Sequence, residues 1–226
     1  YTHSGVLSSM IAMNKHLSKQ LFIKNEVRTP NYFFLNRRDY LSVNLNNKIK
    51  KSKISFPIVV KPNDEGSSIG VKICHSFISL KKEFKKLKKN YNNLIFEEYI
   101  PGKEIQVAVK GGKSIGAIEL RPKRKFYDYK AKYKKSAKTL HVMPAQIIKK
   151  KYEEVKKISE LANRILKCKG ITRCDFRFHN NKFFLLEVNT QPGMTSLSLV
   201  PEIAKYHKIS FVQLVECMVK DSGINR

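Results

Sequence analysis

Residues 171–189 read ITRCDFRFHNNKFFLLEVN, two apolar-rich runs separated by His179, Asn180, Asn181 and Lys182. The first run alternates. On an extended strand Arg173, Asp175 and Arg177 share one face, and Cys174, Phe176 and Phe178 share the other. The polar stretch between the runs is turn chemistry, so the pair reads as a β-hairpin. Folding it about Asn181 sets Asp175 opposite Glu187 and Arg173 opposite Asn189. Directly opposed residues have Cβ atoms about 5 Å apart. Two carboxylates so placed are costly unless something cationic accompanies them. Either Arg173 alone neutralises Asp175, or the oxygens of Asp175, Glu187 and Asn189 hold a divalent cation, for which hard oxygen donors are suited.

The segment that follows, TQPGMTSLSLVP (190–201), supplies a Pro192-Gly193 turn and the hydroxyls of Thr195, Ser196 and Ser198. Backbone N–H groups in such a turn favour anionic oxygens. Residues 56–74 repeat the theme as strand, turn, strand: FPIVVKP, NDEGSSIG, VKIC. Gly66 and Gly70 allow a tight turn that brings N–H groups near a ligand, and Lys61 ends the first strand. A plain hairpin with a Gly-Ser tip is the other reading. A Walker A loop is excluded, because the order G-x-x-x-x-G-K-[ST] is missing.

Around these segments the periodicity is mostly helical or alternating. Val6, Met10, Met13, Leu17 and Leu21 make one apolar stripe, predicting a helix over Val6 to Phe22 that carries Lys15. Ser76 to Asn90 reads as an amphipathic, lysine-rich helix. Strands follow at Leu94–Ile100 and Glu104–Val109, on either side of Pro101-Gly102. The stretch 121–143 has little periodicity and many charges, as a functional lid would. A long helix runs from Ile148 to Ile165, with Gly170 as its expected C-terminal cap, and two helices near 197–206 and 211–220 close the chain.

A chain of 226 residues can bury a substantial core as one large domain or two smaller ones. Its four cysteines form no C-x-x-C pair and its six histidines no metal-ligand spacing with them, which points to a reduced, cytoplasmic setting. No apolar run approaches the roughly 18 residues a membrane helix needs. The net charge of +27 invites a nucleic-acid reading. Against it, only nine of the 45 basic residues are arginines, and the lysines scatter over helix faces such as Lys81, Lys82, Lys85 and Lys86. Specific base or phosphate readout would favour Arg. A salt-sensitive affinity for polyanions is the expected residue of that charge.

Taken in order, YTHSGVLSSMIAMNK, VVKPNDEGSSIGV, FEEYIPGKEIQVAV, FYDYKAKY and LLEVNTQPGMTSLSLVP resemble the D-alanine–D-alanine ligases of the ATP-grasp superfamily over nearly the whole chain. The resemblance implies an α/β (α+β) ATP-grasp fold, two α+β lobes with ATP between them. It divides the chain into a linker helix (1–18), a small lobe (19–100) and a large lobe (101–226) that carries the lid. It also implies ATP-dependent joining of two D-alanine molecules through an acyl phosphate, for peptidoglycan precursor synthesis, with two Mg²⁺ or Mn²⁺ ions. The full-length chain would be a homodimer, free of membrane and of specific nucleic acid. Since the sequence begins at Tyr1, a separate N-terminal domain is expected upstream; without it, nucleotide binding with little ligation is the expectation.

Residue by residue, the resemblance assigns Asp175, Glu187 and Asn189 to the metal ions and Lys15, Lys61 and Lys132 to the phosphates. Glu97 would take the adenine amine, backbone near Tyr99 and Ile100 the ring, and Glu104 the ribose hydroxyls; Tyr127 joins this nucleotide set, as does Glu98, where many relatives carry Lys. Ser67 would contact the amino acid, with Tyr133 hydrogen-bonding toward it. Arg173 and the Gly193 N–H would meet the tetrahedral oxyanion, and Ser198 with Leu199 the second substrate's carboxylate. The usual Met-Asp-Lys is Met13-Asn14-Lys15 here, keeping the lysine and losing an acid. Two other readings stay open: another ATP-grasp carboxylate–amine ligase, and a noncatalytic nucleotide- or polyanion-binding fragment.

Overall fold

The computed structural model describes residues 1–122, 139–195 and 198–224. They form two sheets with helices packed on each, the α+β arrangement expected. The first sheet has the order β1-β4-β2-β3, with β1 Tyr32–Asn36, β2 Ile58–Pro62, β3 Lys72–Cys74 and β4 Asn93–Glu98. The second has the order β7-β6-β5-β8-β9, with β5 Lys103–Lys110, β6 Lys113–Arg121, β7 Leu140–Val142, β8 Ile171–His179 and β9 Lys182–Asn189. Every pairing in both sheets is antiparallel.

The first sheet buries one face under α4 (Phe77–Asn90), whose Leu80, Phe84 and Leu87 meet Phe33, Leu35, Ile58, Val60 and Phe96. Ser76 caps that helix through a reciprocal bond with Ser79, so its start is set locally. The second sheet is covered on both faces. Cys174 and Phe176 of β8 and Ile105, Val107 and Val109 of β5 pack toward α5 (Lys149–Ile165). On the opposite face Ala108, Ile118 and Leu120 pack beneath α6 (Leu199–Tyr206) and α7 (Phe211–Lys220). These two helices cover only part of that face. The rows through Glu104, Gln106, Asp175, Arg177 and Glu187 lie beyond them.

Two expectations are revised, and the direction of the apolar stripe is settled. The predicted helix over 6–22 is two helices, α1 (Val6–Met13) and α2 (Lys15–Lys24), because Asn14 is extended and its side chain accepts from Leu17 N–H as an N-cap. The apolar stripe faces outward: Val6, Met10, Met13 and Leu17 are all exposed. The buried side instead carries Ser8, Ala12, Lys15, Ser18, Lys19 and Phe22. Small and hydroxyl side chains let α1 approach closely, and Ser8 Oγ donates to Lys167 O. Finally, α5 closes at Lys167, with φ of 54°, and not at Gly170. Gly170 serves another need, since a Cβ there would sit 2.8 Å from His3 Cα.

Candidate active site

The β8–β9 hairpin turns on Asn180 and Asn181, both at positive φ, as a two-residue turn requires. From that turn the ladder runs regularly to Phe176↔Leu185. A register shift then leaves Leu186 without a partner, and the pairs continue as Asp175↔Glu187 and Arg173↔Asn189. Phe183 and Leu185 point into the core, and so does Val188. The bulge therefore reverses which residues of β9 face inward. In a regular strand Glu187 would share the face of Leu185; with the extra residue it joins Asp175 on the open face.

On that face Arg173 forms a two-pronged contact with Asp175, Nε to Oδ1 at 2.7 Å and Nη2 to Oδ2 at 2.9 Å. This is the arrangement in which the guanidinium neutralises the acid. Arg177 donates to Ile100 O and Gly102 O, and at 3.4 Å to Glu104 Oε2, which ties the β4–β5 connection to the sheet. Asn189 Oδ1 accepts from Gln191 N–H. Ser198 Oγ lies 3.0 Å from Thr195 N, and a Cβ on Gly193 would come within 2.8 Å of that Oγ and displace it.

The facing wall comes from α2 and the first sheet. Lys15, the first residue of α2, is buried, and its Nζ donates to Glu65 O and lies 3.8 Å from Glu187 Oε2. Burial lowers its pKa, with Glu187 acting against that shift. Asn63 anchors the contact, its Oδ1 accepting from His16 N–H and its O from Lys15 N–H. The turn 63–70 departs from simple glycine flexibility: Ser67 and Ser68 are themselves at positive φ, and Gly70, at +70°, leaves no room for a Cβ against Pro62. Strained non-glycine residues of this kind cost of order 1–3 kcal/mol each and cluster at ligand sites.

Glu97 is paired with two lysines. Its carboxylate is buried between Lys61 (2.7 Å) and Lys19 (3.2 Å), at the border of the smaller cavity. Burial alone would raise its pKa, but the two lysines hold it down to about 2. Lys19, fully buried and sharing one carboxylate with Lys61, is pulled down by desolvation to about 8. Lys19, Asn63 and Gln106 were not singled out from the sequence. Lys19 stands four residues after Lys15 and Gln106 two after Glu104, so helical and strand periods place each on the face of a residue that was.

Two adjoining cavities open between the walls. The larger, about 420 Å³, is bordered by Ser67, Arg173, Asn189, Gly193 and Ser198; the smaller, about 110 Å³, by Lys61, Glu98, Ile100, Glu104 and Asp175. Lys15, Glu65, Gly66 and Glu187 border both. Tyr127, Lys132 and Tyr133 lie outside the described residues, as does most of the 121–143 stretch, whose ends belong to β6 and β7. Among the described residues no three His, Cys, Asp or Glu side chains cluster to hold a metal. The oxygen set available is two carboxylates, Asp175 and Glu187, with the Asn189 amide. Next to it lies the buried Gln106 Oε1, which lacks a hydrogen-bond partner. A hard, oxygen-seeking cation such as Mg²⁺ fits those donors. No helix among the described residues is long and apolar enough to cross a membrane.

A family model described as the C-terminus of D-ala D-ala ligase matches residues 21–220. A D-alanine–D-alanine ligase of Pelagibacter ubique is 53% identical over 226 residues, covering 100% of this chain and 73% of that protein. One from Wolbachia pipientis wMel is 44% identical, over 98% of this chain and 69% of the relative. Among solved structures, the D-alanine–D-alanine ligase from Bacillus anthracis superposes with a TM-score of 0.85 at 32% identity, covering 98% of this chain and 70% of that one. The same ligase complexed with ATP gives 0.83 at 28% identity.

Proposed function

The chain belongs to the D-alanine–D-alanine ligase family and has the ATP-grasp fold, and from that premise we propose that it joins two molecules of D-alanine, with ATP converted to ADP and phosphate. One relationship carries the reading: Asp175 faces Glu187 across the β8–β9 ladder, with Lys15 and Lys61 on the opposing wall. Acids on one side and buried ammoniums on the other suit a nucleotide's phosphates and the cation that accompanies them.

The two lobes, 19–100 and 101–226, close on the nucleotide from either side. Glu104 accepts the ribose hydroxyls, and backbone groups at Tyr99 and Ile100 hold the adenine, beside Glu98. Lys15 and Lys61 bind the phosphates. Asp175, Glu187 and Asn189 hold Mg²⁺ or Mn²⁺, which when bound spreads the charge of the transferring phosphoryl group. The first D-alanine's carboxylate attacks the γ-phosphorus, the bond to ADP breaks, and an acyl phosphate forms. The second D-alanine's amine then attacks that carbonyl, loses a proton, and phosphate departs as the peptide bond closes. The Gly193 N–H and Arg173 stabilise the oxyanion between these events, the Arg173 donors not engaged by Asp175 being the ones for this role. Ser67 contacts the first amino acid, and Ser198 with Leu199 the second substrate's carboxylate. The protein acts in the cytoplasm, as a homodimer at full length.

Incubation with ATP, Mg²⁺ and D-alanine should release phosphate in step with dipeptide. Equal phosphate release with L-alanine would contradict the assignment.

A further inference from the structure

Gln106 sits on β5 directly opposite Asp175, which is opposite Glu187 on β9. The three side chains therefore form one row across adjacent strands, on the face that lines the cleft. Gln106 is only 1% exposed. Its Nε2 faces Glu104 Oε1 at 3.5 Å, which orients the amide, while its Oε1 finds no donor. A buried acceptor left unmatched is destabilising, and native interiors keep few of them. The neighbours on β5 and β8 explain the deficit. Glu104 and Asp175 are themselves acceptors, Arg173 turns its fork on Asp175, and Arg177 is directed at Ile100 O and Gly102 O. A leucine of similar volume would avoid the cost altogether.

Resting on the ligase reading above, we propose that Gln106 is a positioning residue: its Oε1 accepts a hydrogen bond from a water on the divalent cation held by Asp175 and Glu187. Mg²⁺ keeps several of its waters when protein-bound, and those waters are donors, the partner this oxygen lacks. The amide then has two jobs. Its nitrogen orients Glu104, on the nucleoside side of the cleft, and its oxygen orients the hydrated ion on the phosphate side. A glutamate here would add a third carboxylate to the row, whereas glutamine accepts without adding charge.

The test uses Mn²⁺ with a non-hydrolysable ATP analogue, following free Mn²⁺ by electron paramagnetic resonance, together with the melting temperature of the ligand-free protein. Gln106→Leu and Gln106→Met should each weaken Mn²⁺ binding about 10- to 100-fold, as loss of an outer partner of a metal site does. Both should also raise the ligand-free melting temperature, because an unmatched buried oxygen has gone. A purely structural glutamine would not move the two readouts in opposite directions. Mn²⁺ affinity within twofold of the native value in both variants overturns the inference while leaving the ligase reading intact. So does a lowered melting temperature, or failure of both variants to fold, since either marks Gln106 as a structural partner. Absence of Mn²⁺ binding by the native chain overturns both readings.

Discussion

Asp175 and Glu187 face each other because Leu186, one residue before the glutamate, has no partner in the β8–β9 ladder. That single bulge turns an acid that strand alternation would aim at the core toward an acid on the neighbouring strand. Both carboxylates then stand where a cation or a guanidinium must balance them, and in this structure Arg173 pairs with Asp175 while Lys15 lies 3.8 Å from Glu187.

The Arg173 fork competes with any cation for Asp175. Arg173→Met should therefore raise Mn²⁺ affinity in the presence of nucleotide, measured by titration. The same change should slow dipeptide formation about 10²- to 10³-fold, because a donor to the developing oxyanion is lost. Weaker metal binding in this variant would show that the fork supports the site instead of competing for it.

The buried Lys19–Glu97–Lys61 arrangement should be asymmetric in its response to mutation. Glu97→Gln leaves two buried ammoniums uncompensated and should cost about 3–5 kcal/mol in urea denaturation. Lys19→Met leaves the Glu97–Lys61 pair intact and should cost far less.

The same groups give a pH signature. Unfolded, Glu97 takes a proton near 4.5; folded, it resists until about 2. As pH falls through that window the unfolded chain binds the extra proton and stability is lost. Lys19 releases its proton near 8 when folded and near 10.5 when unfolded, so between those values the unfolded chain again holds more protons and stability rises with pH. Stability curves should show the acid loss diminished in Glu97→Gln and the alkaline rise absent in Lys19→Met.

Gly66 and Gly70 look equivalent in the sequence but differ in surroundings. A Cβ on Gly66 meets nothing within 4 Å, whereas one on Gly70 lies 2.8 Å from the Pro62 ring at a φ of +70°. Gly70→Ala should cost about 1–3 kcal/mol and weaken ATP binding by displacing the Ser67 turn, while Gly66→Ala should stay within about 0.5 kcal/mol of native. Thermal melts and calorimetry would separate them.

Glu104 borders the smaller cavity, where the proposed function gives it the ribose hydroxyls and no reacting atom. Glu104→Ala should raise KM for ATP with kcat nearly unchanged, the pattern of lost uniform binding. A comparable fall in kcat would place Glu104 in the chemistry.

Much of this site was legible beforehand, and the parts that were not share a cause. Alternation on β8 and turn chemistry at Asn180-Asn181 are local, and the Asp175–Glu187 pairing followed from them, although the bulge that makes it possible did not show. The outward face of α1 was not legible, because apolar spacing reports a stripe without saying which side of the helix meets the protein. Ser8 and Ala12 were buried by the fit of neighbouring backbone, which no periodicity encodes. The commitment of Glu97 to two lysines depends on α2 lying against the first sheet, a contact between segments nearly eighty residues apart. The amino-acid sequence by itself determined the family and the hairpin that sets Asp175 opposite Glu187. Tertiary structure alone decided which carboxylate pairs with which cation, because charge balance in a buried site is a property of distances between strands and helices.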